Sequence, residues 1–197
     1  MLTIYDAPRC PYCARVRIQL AEKDIEHELV PLDLDERPDF IKALNPPSGR
    51  VPVLVEEGFV LPESPVIMEY LEERFPEPSL LPADPESRAL ARLLVFRFAD
   101  YLGDPYYDLY FDRPTGSADQ LSRALTGLEA RLSTAPYLAG AEYSLADIAY
   151  VPWIYRIESR LRFDLSPYPA IREWAERVAE RPAVAAERDV VAALFRR

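Results

Sequence analysis

The hydrophobic pattern of the chain changes near residue 76, and this change constrains the fold more than any other feature. Before it, short apolar runs typical of strands alternate with segments of helical spacing. Strands that alternate with helices predict a partly parallel sheet with helices on its faces. The predicted order is βαβαββα, with strands over residues 2–5, 26–33, 51–55 and 59–61 and helices over residues 10–23, 38–44 and 64–75.

Helical periodicity alone follows the change. Residues 76–85 contain four prolines, which is typical of a connecting segment. We therefore predict an α/β domain over residues 1–76, a linker over 77–85 and an all-α bundle over 86–197. The predicted helices of that bundle are residues 86–111, 117–133, 145–160, 168–181 and 183–196.

Charge and hydropathy exclude several functions. The formal net charge is −10, whereas a nucleic-acid binder carries a basic patch or stripe. No apolar run approaches the ~20 residues that a membrane span needs. The chain opens on a strand-like run, Met1–Tyr5, rather than on a secretory leader. We expect a cytoplasmic protein that binds neither nucleic acid nor membrane.

Both cysteines of the chain lie at the start of the first predicted helix, in the stretch Cys10-Pro11-Tyr12-Cys13. Cys10 occupies the expected N-cap position, and Pro11 suits the first helical position because its missing N–H costs nothing there. A helix N-terminus stabilises an anion, and the thiolate is the reactive form of cysteine. We predict that Cys10 faces solvent with a lowered pKa and that Cys13, one turn on, can form a disulfide with it.

The cysteine pair could also have a purely structural role, for which the sequence gives weaker support. Half of a zinc site would need further ligands, and His27 is the one remaining soft ligand in the chain. Two inert buried cysteines are the second alternative. A strand before the pair and a helix after it favour thioredoxin-like thiol chemistry, so we predict no metal.

Two further stretches are predicted to complete a site with the cysteines. A Val51-Pro52 step enters a strand, and a cis proline there would leave backbone groups for a thiol-bearing peptide to pair with. Ser64 is a natural N-cap and Pro65 a natural first helical residue, which makes a second helix start suited to a carboxylate. An ordinary cap is the alternative for Ser64.

A capping box is predicted in the helical half. Ser144 and Asp147 have the spacing at which each side chain bonds the other's backbone N–H at a helix start. We interpret this pair as structural.

These motifs together resemble the cytosolic glutathione transferases over essentially the whole chain. The Cys10 motif, Val51-Pro52 and Glu63-Ser64 occur in the family's order, and Ser144 to Ile148 matches its helical capping motif. The sequence Cys-Pro-Tyr-Cys also resembles the glutaredoxin active site. The resemblance implies a thioredoxin-like amino-terminal domain and a helical carboxy-terminal domain of the transferase type.

The resemblance also implies roles for individual residues. Cys10 would form a mixed disulfide with glutathione or stabilise its thiolate. The Val51 backbone, next to Pro52, would bind the cysteinyl part of glutathione, and Glu63 and Ser64 its γ-glutamyl end. Arg50 stands where a lysine is frequent and would contact the glycyl carboxylate.

The aromatic residues of the helical half are implied to border the site for the second substrate. In the family the equivalent helix borders the electrophile pocket, so Tyr101, Tyr106 and Tyr107 are candidates, together with Tyr12 of the cysteine motif. The family usually forms two-fold dimers, so we expect a homodimer.

Most family members lack a cysteine at the position of Cys13. This departure favours glutathione-dependent reduction of small-molecule or protein disulfides, with Cys10 as nucleophile and either glutathione or Cys13 resolving the intermediate. The alternatives are a transferase that joins glutathione to apolar electrophiles, and a non-catalytic binding module on the same fold.

Overall fold

The computed structural model describes residues 1–113 and 116–195. The chain divides into two compact units, Met1–Ser79 and Leu80–Arg197, and each unit is described by itself. In the described ranges, no helix combines the length and the apolar character needed to cross a membrane.

Within residues 1–79, all of which the structure describes, four strands form one sheet. The strands are β1 (Leu2–Asp6), β2 (His27–Pro31), β3 (Val53–Glu56) and β4 (Phe59–Pro62). Their order across the sheet is β2-β1-β3-β4. β1 runs parallel to β2 and antiparallel to β3, and β3 and β4 form an antiparallel hairpin. The sheet is therefore partly parallel, as the alternation of strands and helices predicts.

The helices of the first unit are α1 (Pro11–Glu22), α2 (Asp39–Leu44) and α3 (Ser64–Arg74). The apolar side chains of β1 and β3 share a core with those of α1 and α3. The buried members of this core are Leu2, Ile4, Val16, Leu20, Ile25, Leu54, Ile67 and Leu71. This core holds α1 and α3 against the same sheet, and the predicted site lies at the first residues of these two helices.

A buried lysine fixes the end of the first unit. The ammonium of Lys23, at the end of α1, donates to the carbonyl oxygens of Phe75 at 2.7 Å and Pro78 at 2.6 Å. It also pairs with the Glu72 carboxylate at 2.9 Å, and its side chain is fully buried. The ammonium therefore ties the end of α1 to the chain that follows α3.

The second unit is helical, as predicted. Its helices are α4 (Pro85–Phe96), α5 (Asp104–Tyr110), α6 (Ser117–Leu132), α7 (Leu145–Ser159), α8 (Pro169–Ala179) and α9 (Pro182–Phe195). The helix predicted over 183–196 ends on a residue outside the described ranges. The two units together confirm the predicted fold class of a thioredoxin-like domain followed by a helical domain.

The prediction of one continuous helix over residues 86–111 is wrong. α4 ends at Phe96, a wider π-helical turn spans Ala99–Gly103, and α5 begins at Asp104. Pro105 has no N–H to donate to the carbonyl four residues earlier, so regular α-helical hydrogen bonding cannot continue through this segment.

The predicted capping box at the start of α7 is confirmed. The Ser144 N–H donates to Asp147 Oδ2 at 2.9 Å, and the Ser144 Oγ atom accepts from the Ala146 N–H at 3.3 Å. The indole N–H of Trp174 in α8 donates to Asp147 Oδ1 at 2.7 Å. This carboxylate therefore organises the core of the helical unit, as its structural interpretation predicts.

Candidate functional site

Cys10 is the N-cap of α1, as the sequence predicts. Its backbone is extended, with φ −82° and ψ 118°, and Pro11 follows as the first helical residue. The Cys10 N–H donates to the Ala7 carbonyl at 2.9 Å, and the Cys10 carbonyl accepts from the Ala14 N–H at 3.1 Å. The sulfur therefore lies at a helix start, where backbone N–H groups favour a negative charge.

The prediction that Cys10 faces solvent is wrong. Its exposed fraction is 7%, and it belongs to a cluster of buried residues whose other members are Ala7, Cys13, Ile41 and Val51. Local sequence places Cys10 at a helix start. Its burial, however, comes from distant parts of the chain, because Ile41 and Val51 lie 31 and 41 positions further along and pack in the same cluster. Access to the sulfur is therefore narrow.

Cys13 lies deeper than Cys10. It is completely buried, and both residues are thiols rather than a disulfide. Burial raises the pKa of Cys13 well above its usual value, and its hydrogen bond with Cys10 and the charge of Cys10 raise it further. The Cys13 thiol therefore retains its proton at neutral pH. Among the described residues, no group of three or more His, Cys, Asp or Glu side chains is arranged to hold a metal ion.

The Val51-Pro52 peptide bond is cis, the isomer that its context favours. The Cys10 thiol donates to the Val51 carbonyl oxygen at 3.8 Å. Just before this step, the Asn45 side chain donates to the Arg50 carbonyl at 3.0 Å. The backbone of residues 50–52 is thus held against the cysteine, while the Arg50 side chain is exposed.

Arg17 holds the loop that leads into Cys10. Its Nη1 atom lies 2.6 Å from the Asp6 carboxylate and 3.3 Å from the Ala7 carbonyl, and its Nη2 atom lies 3.2 Å from the Pro8 carbonyl. One guanidinium therefore contacts three consecutive residues, from the last residue of β1 to Pro8, just before the cysteine motif.

The prediction that Ser64 is the N-cap of α3 is wrong by one residue, because the N-cap lies one position earlier. Glu63 is the N-cap of α3, with φ +70° and ψ 109°, and Ser64 is the first helical residue. The Glu63 carbonyl accepts from the N–H groups of both Val66 and Ile67, at 3.0 and 2.9 Å. A non-glycine residue at positive φ is uncommon, and such strain clusters at functional sites.

Arg15 was not among the predicted ligand-binding residues. It is 1% exposed, and its Nη1 atom donates to the Ser64 Oγ atom at 3.3 Å. Its guanidinium also lies 5.2 Å from the centroid of the Tyr12 ring. The signal for its burial is its spacing, because Arg15 precedes the buried Ile18 and Gln19 by three and four residues on one helix face.

The four tyrosines predicted for an electrophile pocket have different environments. Tyr12, in the first unit, is half-buried. In the second unit Tyr101 is 36% exposed and rests on α6, since a Cβ atom at Gly127 would lie 1.9 Å from its hydroxyl oxygen. Tyr107 is half-buried, with its ring centroid 5.1 Å from that of Tyr106.

Tyr106 is 3% exposed, so its side chain is a packing element inside the helical unit rather than part of an open surface. Burial raises its pKa to about 12. The remaining assignments to an electrophile pocket stay predictions.

The architecture and the site define a two-unit protein of the transferase type, and comparison with known proteins identifies the family. Residues 4–79 match the glutathione S-transferase amino-terminal domain, and residues 112–177 match the glutathione S-transferase carboxy-terminal domain. The chain belongs to the glutathione S-transferase superfamily. The resemblance stated from the motifs is confirmed at this level, and the glutaredoxin-type site stays a prediction.

Similar proteins carry different names within this family. A stringent starvation protein A homolog of Haemophilus influenzae is 34% identical over 188 residues, which is 92% of this chain and 87% of the relative. The maleylacetoacetate isomerase of Mus musculus is 39% identical over 171 residues, which is 80% of this chain and 78% of the relative.

Solved structures agree on the fold. A delta-class glutathione transferase of Nilaparvata lugens superposes with a TM-score of 0.81 at 30% identity, covering 98% of this chain and all of that one. A diazinon-metabolizing glutathione S-transferase of the silkworm Bombyx mori reaches a TM-score of 0.89 over the full length of both chains. At 23% identity, the silkworm enzyme supports the fold alone.

Proposed function

We propose that this protein is a glutathione-dependent thiol transferase in which Cys10 is the nucleophile. The observation that carries the proposal is the position of Cys10 as the N-cap of α1, directly before Pro11. A helix N-terminus stabilises a thiolate through its backbone N–H groups and its dipole, and the thiolate is the attacking species. Family membership supports glutathione as the substrate thiol.

In the first step the Cys10 thiolate attacks the glutathione sulfur of a mixed disulfide. A new sulfur–sulfur bond forms between Cys10 and glutathione as the original disulfide bond breaks. The other thiol leaves as a thiolate and takes a proton from solvent. Cys10 is thereby oxidised to a mixed disulfide and the substrate thiol is reduced.

In the second step a second glutathione thiolate attacks the glutathione sulfur bound to Cys10. This step releases oxidised glutathione and regenerates the Cys10 thiolate. Cys13 is a poor resolving thiol because it is completely buried and its pKa is raised. Its hydrogen bond with Cys10 suits it to stabilise the Cys10 thiolate instead.

Glutathione binding is proposed along the three stretches that the family resemblance implies. The Val51 backbone beside the cis bond to Pro52 would pair with the cysteinyl part. The start of α3, at Glu63 and Ser64, would receive the γ-glutamyl end. Arg50, whose side chain is exposed, would reach the glycyl carboxylate.

Two further properties belong to this proposal. Exposed apolar side chains occur in both units, for example Phe59 and Val66 in the first and Leu93 and Phe96 in the second. Large exposed apolar residues suit an interface between copies, so we propose a homodimer, which a light-scattering mass measurement tests.

The second property is a cytoplasmic location, which we propose because a reducing cytoplasm would keep both cysteines as thiols.

Paired assays on three proteins test the proposed reaction. Reduction of a small glutathione-mixed disulfide and conjugation of glutathione to an aryl halide are measured for wild type, Cys10→Ser and Cys13→Ser. We expect Cys10→Ser to abolish reduction and Cys13→Ser to retain much of it. Strong conjugation that survives Cys10→Ser would instead support a conventional transferase.

Isomerisation is a second candidate reaction, favoured by similarity to the Mus musculus maleylacetoacetate isomerase. A glutathione thiolate would add to the double bond of a cis diacid, the adduct would rotate, and elimination would return glutathione. Maleylacetoacetate therefore serves as a third assay substrate. A chain that binds no glutathione and is inactive in every assay would instead be a binding module.

A further inference from the structure

We propose that Arg15 is a positioning residue that turns the Ser64 hydroxyl into a dedicated donor for a carboxylate at the start of α3. The inference rests on the proposed function, because the carboxylate is that of the γ-glutamyl end of the thiol substrate. It adds a residue from α1 to a subsite that the sequence assigns to Glu63 and Ser64 alone.

The contact joins the N-terminal parts of two helices across 49 positions of the chain. Arg15 is the fifth residue of α1 and Ser64 is the first residue of α3. Both side chains are buried, with exposed fractions of 1% and 2%. The 3.3 Å bond from the Arg15 Nη1 atom to the Ser64 Oγ atom is therefore shielded from competing water.

The direction of this bond decides what the serine can do. A guanidinium only donates hydrogen bonds, whereas a hydroxyl has one proton to donate and lone pairs to accept. Because Arg15 occupies a lone pair of the Ser64 oxygen, the hydroxyl proton points away from the guanidinium. Ser64 is thereby prepared to donate to another acceptor.

The hydroxyl matters because few donors remain at this helix start. Pro65 has no N–H, and the N–H groups of Val66 and Ile67 both donate to the Glu63 carbonyl. The backbone N–H and the hydroxyl of Ser64 are the donors left for an anion in the first turn. Orientation of one hydroxyl therefore controls much of the capacity of this subsite to bind a carboxylate.

The charge of Arg15 acts in the same direction. A guanidinium stays protonated at all physiological pH values, and attraction between opposite charges strengthens in a poorly solvated interior. Tyr12 supports the guanidinium from α1 at a ring distance of 5.2 Å. The ligand class that fits is a thiol whose far end carries a carboxylate.

Two ligands that differ only in that far end test the inference. Calorimetry under reducing conditions gives the dissociation constants of glutathione and of cysteinylglycine, which lacks the γ-glutamyl group. The proteins are wild type, Arg15→Met, Ser64→Ala and the double variant. Arg74→Met is the matched control, because Arg74 is a half-exposed arginine of the same unit in a loose 3.7 Å pair with Glu56.

We expect Arg15→Met and Ser64→Ala each to weaken glutathione binding by about tenfold, the loss typical of a hydrogen bond to a charged group. Binding of cysteinylglycine should change by less than about twofold, and the double variant should bind glutathione no more weakly than the weaker single variant. Equal losses for both ligands, or additive losses in the double variant, would overturn the role of Arg15.

The conservative variant protects the test against misfolding. If thermal melting shows that Arg15→Met does not fold, Arg15→Lys keeps the charge without the planar fork and should give a smaller loss confined to glutathione. If wild type binds both ligands and the Arg15 variants leave the ratio of the two dissociation constants unchanged, this inference alone is overturned. A wild type that binds neither ligand would overturn the proposed function and this inference together.

Discussion

The sulfur of Cys10 lies 3.8 Å from the carbonyl oxygen of Val51, to which the thiol donates its proton. This bond stabilises the neutral thiol, and burial of Cys10 acts in the same direction. The helix start beneath the sulfur favours the thiolate instead. We expect Cys10 to turn toward the N–H groups of α1 when it ionises, so its reactivity depends on the helix start outweighing the other two effects.

The buried ammonium of Lys23 is predicted to be essential for the stability of the first unit. Lys23→Met would leave the Glu72 carboxylate buried without its cation, and the carbonyls of Phe75 and Pro78 without a donor. Removing one partner of a buried pair costs about 3–5 kcal/mol. Urea denaturation of wild type and variant measures this loss in the free energy of unfolding.

The chain supplies a matched control in its other lysine. Lys42 forms an exposed pair with Asp39, with exposed side-chain fractions of 65% and 96%. Lys42→Met should cost less than about 1 kcal/mol. Equal losses for the two lysine variants would show that the buried ammonium has no special role.

Arg17 is predicted to control the rate of the reaction at Cys10. Arg17→Met frees the loop Asp6–Pro8, whose Ala7 carbonyl accepts from the Cys10 N–H. Small displacements of a reacting group are costly, so kcat for disulfide reduction should fall about tenfold or more. Steady-state kinetics with the glutathione-mixed disulfide measure the change.

An arginine of the second unit separates this effect from a general loss of stability. Arg88 also holds a loop through carbonyls, donating to Pro82 and Ala83 at 2.9 and 3.1 Å. Arg88→Met should lower stability without a comparable loss in kcat. If both variants lose kcat equally, the loop before Cys10 is not what Arg17 controls.

Asp147 is predicted to make the stability of the helical unit depend on pH. Burial raises the pKa of this carboxyl to about 6, against the opposing hydrogen bonds from Leu138, Trp174 and Ser144. An unfolded carboxyl titrates near about 3.9. Between these values the folded state holds more protons, so the contribution of Asp147 to the free energy of unfolding falls as the pH rises, by roughly 3 kcal/mol in all.

Tryptophan fluorescence follows this unit selectively, because Trp153 and Trp174 are the tryptophans of the chain and both belong to the second unit. Urea denaturation from about pH 4 to about pH 7 is compared for wild type and Asp147→Asn. The wild-type curve should fall more steeply with rising pH, since asparagine does not titrate. Parallel curves would contradict the assigned pKa.

Local patterns predict much of this fold. The position of Cys10 before Pro11, the capping box of Ser144 and Asp147, and the alternation of strands and helices depend on neighbours within a few residues. Periodicity does not reveal the break between Phe96 and Asp104, because it is helical on either side. Pro105 is the local signal for that break.

The candidate site was less predictable because its contacts are long-range. Burial of Cys10 depends on Val51, 41 positions away, and the role of Arg15 depends on Ser64, 49 positions away. Neither separation leaves a periodic signal in the sequence. The shift of the N-cap from Ser64 to Glu63 depends on a left-handed backbone that a glutamate rarely adopts.

The most direct test of the account is the rate at which iodoacetamide alkylates Cys10 as a function of pH. Cys13→Ser leaves Cys10 as the single thiol and keeps a hydroxyl donor in place of the Cys13 thiol, so the profile belongs to one sulfur. The account predicts a midpoint clearly below about 8.5, the pKa of an unperturbed cysteine thiol, because the start of α1 stabilises the thiolate. A midpoint at or above that value would contradict it.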